Sequence, residues 1–200
     1  MHDGVLVPYD NAWPGLFEAE RETLEDVLAP WLRDGIRHVG STAVAGLAAK
    51  PVIDMIAGVA GLEAAKAARE PLEALGYVYS DHRPEALLFR KPAGNWWEAT
   101  HTLHLTEPGS DLWRERLAFR DALRTDARLA AEYERWKFAY AGRAGDAAPY
   151  GASKTAFVAS VLAGAGIALK PDSERLTVPS AINAEERLRR PGANRFDRNP

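Results

Sequence analysis

The run Val52-Ile53-Asp54-Met55-Ile56-Ala57-Gly58-Val59 constrains this chain more than any other stretch. It is short, apolar and rich in β-branched residues, the pattern of a buried strand. Asp54 is its one charge. An ionised carboxylate in such a strand loses its hydration and must meet a cation, a metal or hydrogen-bond donors in return. Shortly before it stands His38-Val39-Gly40-Ser41-Thr42, a strand running into a Gly-Ser turn. Glycine lets the backbone come close to a ligand, and the turn's N–H and hydroxyl groups can take phosphate oxygens at a helix start. A phosphate at the turn and a carboxylate beside it are the parts of a nucleotide-transfer site. The plainer reading makes Asp54 structural, accepting backbone N–H bonds or pairing with an arginine. Both readings stay open on the residues alone.

The composition narrows the field. With 46% apolar residues over 200, the chain can bury one sizeable core. A net charge of −3, with acids and bases interspersed, gives no footprint for duplex nucleic acid and leaves room for a local basic pocket. The absence of cysteine excludes disulfide and thiolate chemistry. The N-terminus lacks a basic-then-apolar secretory pattern, and the longest uncharged run, Thr155 to Leu169, falls short of the ~20 apolar residues of a membrane span. These features predict a cytoplasmic protein without a membrane partner.

Periodicity predicts a helix from Gly15 to about Arg33 stopped at Gly35, a strand Ile36–Val39, and a short helix Ala43–Ala49. The central strand Val52–Val59 follows, ended by Gly58 and Gly61, then a helix Leu62–Leu75 capped by Gly76. Tyr77–Tyr79, Leu87–Lys91 and Thr100–Thr106 read as strands, with a turn at Pro92–Asn95. From Ser110 two helices follow with a bend near Thr125-Asp126, then a loop Gly142–Pro149 and a last helix Ser153–Ala168. A helix, a βαβ-like start, a meander and a helical half make an α+β or mixed α/β domain over residues 1–168. Its sheet core spans about 36–106 and its helical half about 110–168, and residues 169–200 read as a charged, disordered tail.

Other motifs say less. Lys50 follows Gly40 but not in a contiguous Gly-Lys-Ser/Thr, so no phosphate-binding P-loop is present, and no Gly-x-Ser-x-Gly elbow surrounds Ser41. His101 and His104, three apart on a strand, should point to opposite faces, which speaks against joint metal ligation. Tyr133 with Lys137, and Tyr150 with Lys154, are four apart and share helix faces. Those faces are either solvated, or turn Lys137, Lys154 or Arg120 toward a pocket to neutralise phosphate. Trp96-Trp97 either packs on the helices or covers a ligand.

From about Val7 to Val161 the chain resembles the GrpB family, whose fold is similar to the DNA polymerase beta-like nucleotidyltransferases. The resemblance rests on Pro8-Tyr9 with Trp13, His38 to Val44, Lys50 to Asp54, Phe89-Arg90-Lys91, Thr100 to His104, Phe119-Arg120-Asp121, and Tyr150 with Lys154. It implies a nucleotidyltransferase-like mixed sheet flanked by helices. In that superfamily a Gly-Ser turn precedes a strand with two carboxylates one residue apart, and a third carboxylate on a later strand completes a site for two Mg²⁺. Here Asp54 matches the second carboxylate, Val52 stands where the first belongs, and His104 falls where the third would sit. The resemblance therefore implies Asp54 and His104 at catalytic positions, with Asp54 as the ligand of a divalent metal, Mg or Mn. Gly40, Ser41, Thr42, Lys50, His101 and Arg120 are implied as phosphate-binding or supporting groups. The implied partner is a nucleotide or another phosphate-bearing small molecule, with atypical or weak transfer. Fusions of relatives to dephospho-coenzyme A kinase imply a connection to coenzyme A metabolism. The alternatives are a scaffold or regulatory module that kept the fold and lost the metal carboxylates, and a transition-metal site on His101, His104 and Asp54.

Overall fold

A computed structural model of the chain describes residues 6–80, 83–92, 98–141 and 147–169. Helix α1, Trp13–Leu28, opens with Pro14 in its first turn and buries Trp13, Phe17, Leu24 and Leu28. It ends before Pro30 rather than continuing to Arg33, because proline offers no N–H to the next helical bond. Strand β1, Leu32–Val39, starts at once. Gly35, at φ +65°, does not stop a helix; it sits where the register of β1 slips between Leu32 and Ile36.

Strand β2, Ile53–Val59, pairs antiparallel with β1, so the start is a long hairpin and not a βαβ unit. The connection holds a single 3₁₀ turn, Ser41–Ala43, in place of the expected helix to Ala49. Gly46 at φ +78° turns the chain outward, and Ala49 is drawn into a two-bond bridge with Val7. Gly58 is the next-to-last residue of β2, at the strand's end as expected, and a Cβ there would come within 2.9 Å of Asp34 and 3.2 Å of Trp113. The expected helix 62–75 is broken into α2, Leu62–Ala65, a 3₁₀ turn, Lys66–Ala68, and α3, Arg69–Ala74. Pro71 removes one N–H and crowds the carbonyl one turn back, which explains the break.

Strands β3 (Val78–Ser80), β4 (Ala86–Lys91) and β5 (His101–Thr106) complete a five-stranded sheet in the order β1-β2-β5-β4-β3, in which only β2 and β5 run parallel. One face, carrying Ile53, Met55, Ala57, Leu103, Leu105 and Phe89, packs on α1 and α3. The other brings Val39, Ile56 and Ala86 against Leu112 and Trp113 of α4, Asp111–Thr125. Helix α5, Ala127–Ala141, follows after Asp126, whose carboxylate accepts from the N–H groups of Arg128 and Leu129, as the bend at Thr125-Asp126 anticipated. Helix α6 spans Ala147–Gly164 and starts earlier than expected. Val44, Leu47, Leu123 and Tyr133 form a third cluster that ties the β1–β2 connection to the helical half. The molecule is thus α+β with a mixed sheet flanked by helices. No helix among the described residues is long and apolar enough to cross a membrane. Trp96-Trp97, most of the Pro92–Asn95 turn and the tail from residue 170 lie outside the described residues.

Candidate functional site

Gly40 closes β1 with φ +73° and ψ −170°, a conformation that only glycine adopts without strain. A Cβ at this position would run into Asp54 Oδ2 and lie 3.0 Å from the Cβ and Cγ of Asp54. Glycine here is the condition for seating a carboxylate against the turn. Asp54 faces Val39 and Thr102 across the sheet, and the Thr102 hydroxyl donates to Asp54 Oδ1. The site therefore has a threonine directly opposite Asp54, while His104 is two residues on and opposite Ile56.

Helix α4 adds Arg116. Burial pulls its guanidinium's pKa down and Arg83 adds to that, while the charges of Asp54 and Glu115 oppose it. Helix α5 adds Tyr133, which is buried and shares a hydrogen bond with Ser41. Burial raises the phenol's pKa, and the bond to Ser41 and the charge of Arg116 oppose the rise. One turn on, Lys137 Nζ lies 4.9 Å from the Tyr133 ring centroid and donates to the Ala48 carbonyl. Desolvation brings Lys137 down from 10.5 to about 8, with Glu134 raising it and Lys154 lowering it. Desolvation and then the charge of Lys154 also lower Lys50. The charge of Lys154 thus acts on both Lys50 and Lys137, and Lys137 stacks over the Tyr133 that bonds to Ser41. The Tyr133–Lys137 face is buried, not solvated.

Three expected members lie elsewhere. Thr42 is 1% exposed, donates to the Val52 carbonyl and meets His38 Nε2 at 3.0 Å, so its hydroxyl is committed to holding the hairpin. His101 points to the face opposite His104, as the strand parity required, and the register of β5 against β2 makes that the face away from Asp54. There its Nδ1 meets Thr100 Oγ1 at 2.9 Å, near Glu20, which accepts from Lys91 Nζ and the Tyr77 hydroxyl. Arg120 Nη1 donates to the His38 carbonyl at 3.0 Å and lines a cavity of about 900 Å³ to which Gly40, Ser41 and Asp54 do not contribute. The side chain of Tyr150 lies outside the described residues. Arg116 went unread in the sequence, although its place in the stripe of Leu112 and Arg120, four residues from each, was a usable sign of a buried charge.

Residues 4–163 match the model of the GrpB protein family. The chain belongs to the GrpB family. A UPF0157 protein of Deinococcus radiodurans is 34% identical over 158 residues, covering 79% of this chain and 80% of that one. The crystal structure of the conserved protein GrpB from Enterococcus faecalis overlays with a TM-score of 0.69 at 28% identity, over 78% of this chain and 94% of that one. The Cid1 poly(U) polymerase overlays with a TM-score of 0.47 at 18% identity, over 65% of this chain and 44% of that one, and no residue is carried over from it.

In this GrpB-family site the donor set does not fit a two-metal centre. Asp54 is one carboxylate, it already accepts from Thr102, and its charge acts on the buried guanidinium of Arg116. Val52 offers no oxygen on its side chain, and among the described residues no three His, Asp or Glu side chains gather as a metal cage. What the site does offer is cations and hydroxyls around a glycine turn.

Proposed function

We propose that the chain binds a nucleotide or another phosphate-bearing ligand at the Gly40–Ser41 turn, in a nucleotidyltransferase-like fold, with weak transfer or none. The observation that carries this reading is the convergence of Lys50, Lys137 and Lys154 beside a turn whose glycine cannot be replaced. Desolvation and then the charge of Lys154 lower Lys50, and desolvation and Lys154 lower Lys137 against Glu134, a strain that a polyanion relieves. The Ser41 hydroxyl and the backbone N–H groups at the turn would receive phosphate oxygens, and the lysines would supply the neutralising charge. Asp54 is left to orient Thr102 and Arg116 or to accept from a ribose hydroxyl. The scaffold reading draws on the same carboxylate, since an acid already bonded and coupled to the charge of an arginine is poorly placed to activate a nucleophile.

Calorimetric titration with ATP and with inorganic tripolyphosphate, in Mg²⁺ and in EDTA, tests the reading. Both probes should bind the wild type, EDTA should change affinity by less than about threefold, and Lys154→Ala, at an exposed position, should weaken both about tenfold. If neither probe binds, the scaffold reading holds. Binding that requires Mg²⁺ would return Asp54 to the role of metal ligand.

A further inference from the structure

We infer that the cavity between α1, β1, α4 and α5 is a second ligand site, separate from the Gly40 turn, that takes a small organic anion with an apolar body. At about 900 Å³ it has the size of pockets that enclose organic ligands. Phe17, Ile36, Val44, Leu47 and Leu123 give it an apolar lining. Arg120 and Arg124, one turn apart on α4, give it a cationic wall.

Both guanidiniums are held in place by backbone carbonyls: Arg120 Nη1 on His38 at 3.0 Å, Arg124 Nε on Ala43 at 2.8 Å. A fixed guanidinium loses little further entropy when it grips a carboxylate or phosphate. Among the described residues Arg124 spends only its Nε on the protein, so both Nη groups remain for a ligand. The acids of the lining are already engaged. Glu18 and Glu25 both pair with Arg21 of the same lining, and Glu134 accepts from the Ala48 N–H and meets the charge of Lys137. Burial, and then the two arginines, hold His38 in the same wall at a pKa of about 4, so the imidazole brings no third charge. Arg120 Nε also pairs with the exposed Asp121 carboxylate at 2.7 Å, so Arg124 is the guanidinium that offers its charge. One such charge over an apolar floor matches a ligand with one anionic end. The segment from His38 to Val44 is the partition: His38, Thr42 and Val44 line this cavity, whereas Gly40 and Ser41 do not.

The probe is 1-naphthyl phosphate, with 1-naphthol and inorganic phosphate as controls, titrated calorimetrically into the full chain. Naphthyl phosphate should bind at least tenfold more tightly than either control. Arg124→Gln should weaken it at least tenfold. Ala131→Trp, on the exposed side of α5 where it lines the cavity, should block it while leaving both arginines in place. Lys154→Ala should leave it unchanged, which separates this site from the one proposed at Gly40. Equal binding of naphthol, or full binding in Arg124→Gln and Ala131→Trp, would overturn the inference. Loss in Lys154→Ala would overturn it too, by moving the probe to the glycine turn.

Discussion

At residue 40 the chain gives up every side chain so that one carboxylate can approach. Two costs meet in Gly40→Ala: a left-handed backbone, and a Cβ pressed on Asp54. The first alone is worth about 1–3 kcal/mol. We expect Gly40→Ala to lose at least about 2 kcal/mol in urea unfolding, and Gly40→Ala/Asp54→Gly to lose clearly less than the sum of the single changes. Strict additivity would mean that the contact with Asp54 is not what excludes a side chain. This pair was legible in the sequence, because a Gly-Ser turn and a charged residue inside an apolar strand are both local patterns. Thr102 was not legible as the partner of Asp54, since which residue stands opposite is set by the register of β2 against β5 and not by either strand's composition.

Among the elements, α4 does the most varied work. Leu112 and Trp113 close the sheet, Glu115 and Arg116 carry charge beneath the helix, and Arg120 and Arg124 clamp the β1–β2 connection. The Glu115 carboxylate is 2.7 Å from Arg83, with side chains only 5% and 9% exposed, and its Oε1 finds no hydrogen-bond partner among the described residues. Glu115→Ala leaves Arg83 with only the longer contact to Glu85 at 3.6 Å and should cost about 3 kcal/mol, whereas Arg83→Met/Glu85→Gln/Glu115→Leu, which removes all three charges, should recover most of the loss. A triple variant no more stable than Glu115→Ala would show that the charge cluster itself, and not the under-paired arginine, supplies the stability. The strands were legible because alternation marks them. The breaks in the helices were less so. Pro30 and Pro71 carried the signal, but the apolar periodicity runs across both and outweighed it.

At the scale of the molecule, the fold carries an acid liability. The folded state holds His38 near 4 against an ordinary 6.5, first by burial and then by Arg124 and Arg120. Below pH 6.5 the unfolded chain takes up a proton that the folded chain refuses, so stability falls as pH drops toward 4. Between pH 6.5 and 5 the loss should be on the order of 2 kcal/mol, read as a falling melting temperature. His38→Gln should flatten that slope, and an unchanged slope would assign the sensitivity to other groups. The fold class followed from the order of strands and helices, and the comparison with GrpB from Enterococcus faecalis agrees over 78% of the chain. The separation of Arg120 and His101 from Asp54 did not follow, because motifs that crowd together in a family pattern say nothing about which side of a sheet each one takes.

Ser41 bonds to Tyr133, the charge of Asp54 acts on Arg116, and Lys50 feels Lys154. These three interactions join the first third of the chain to its second half. During synthesis the glycine turn leaves the ribosome early; β5 brings Thr102 to the carboxylate, and the serine stays unmet until the last helices follow. The hairpin therefore matures in order of birth but becomes a site only at the end, when α6 arrives.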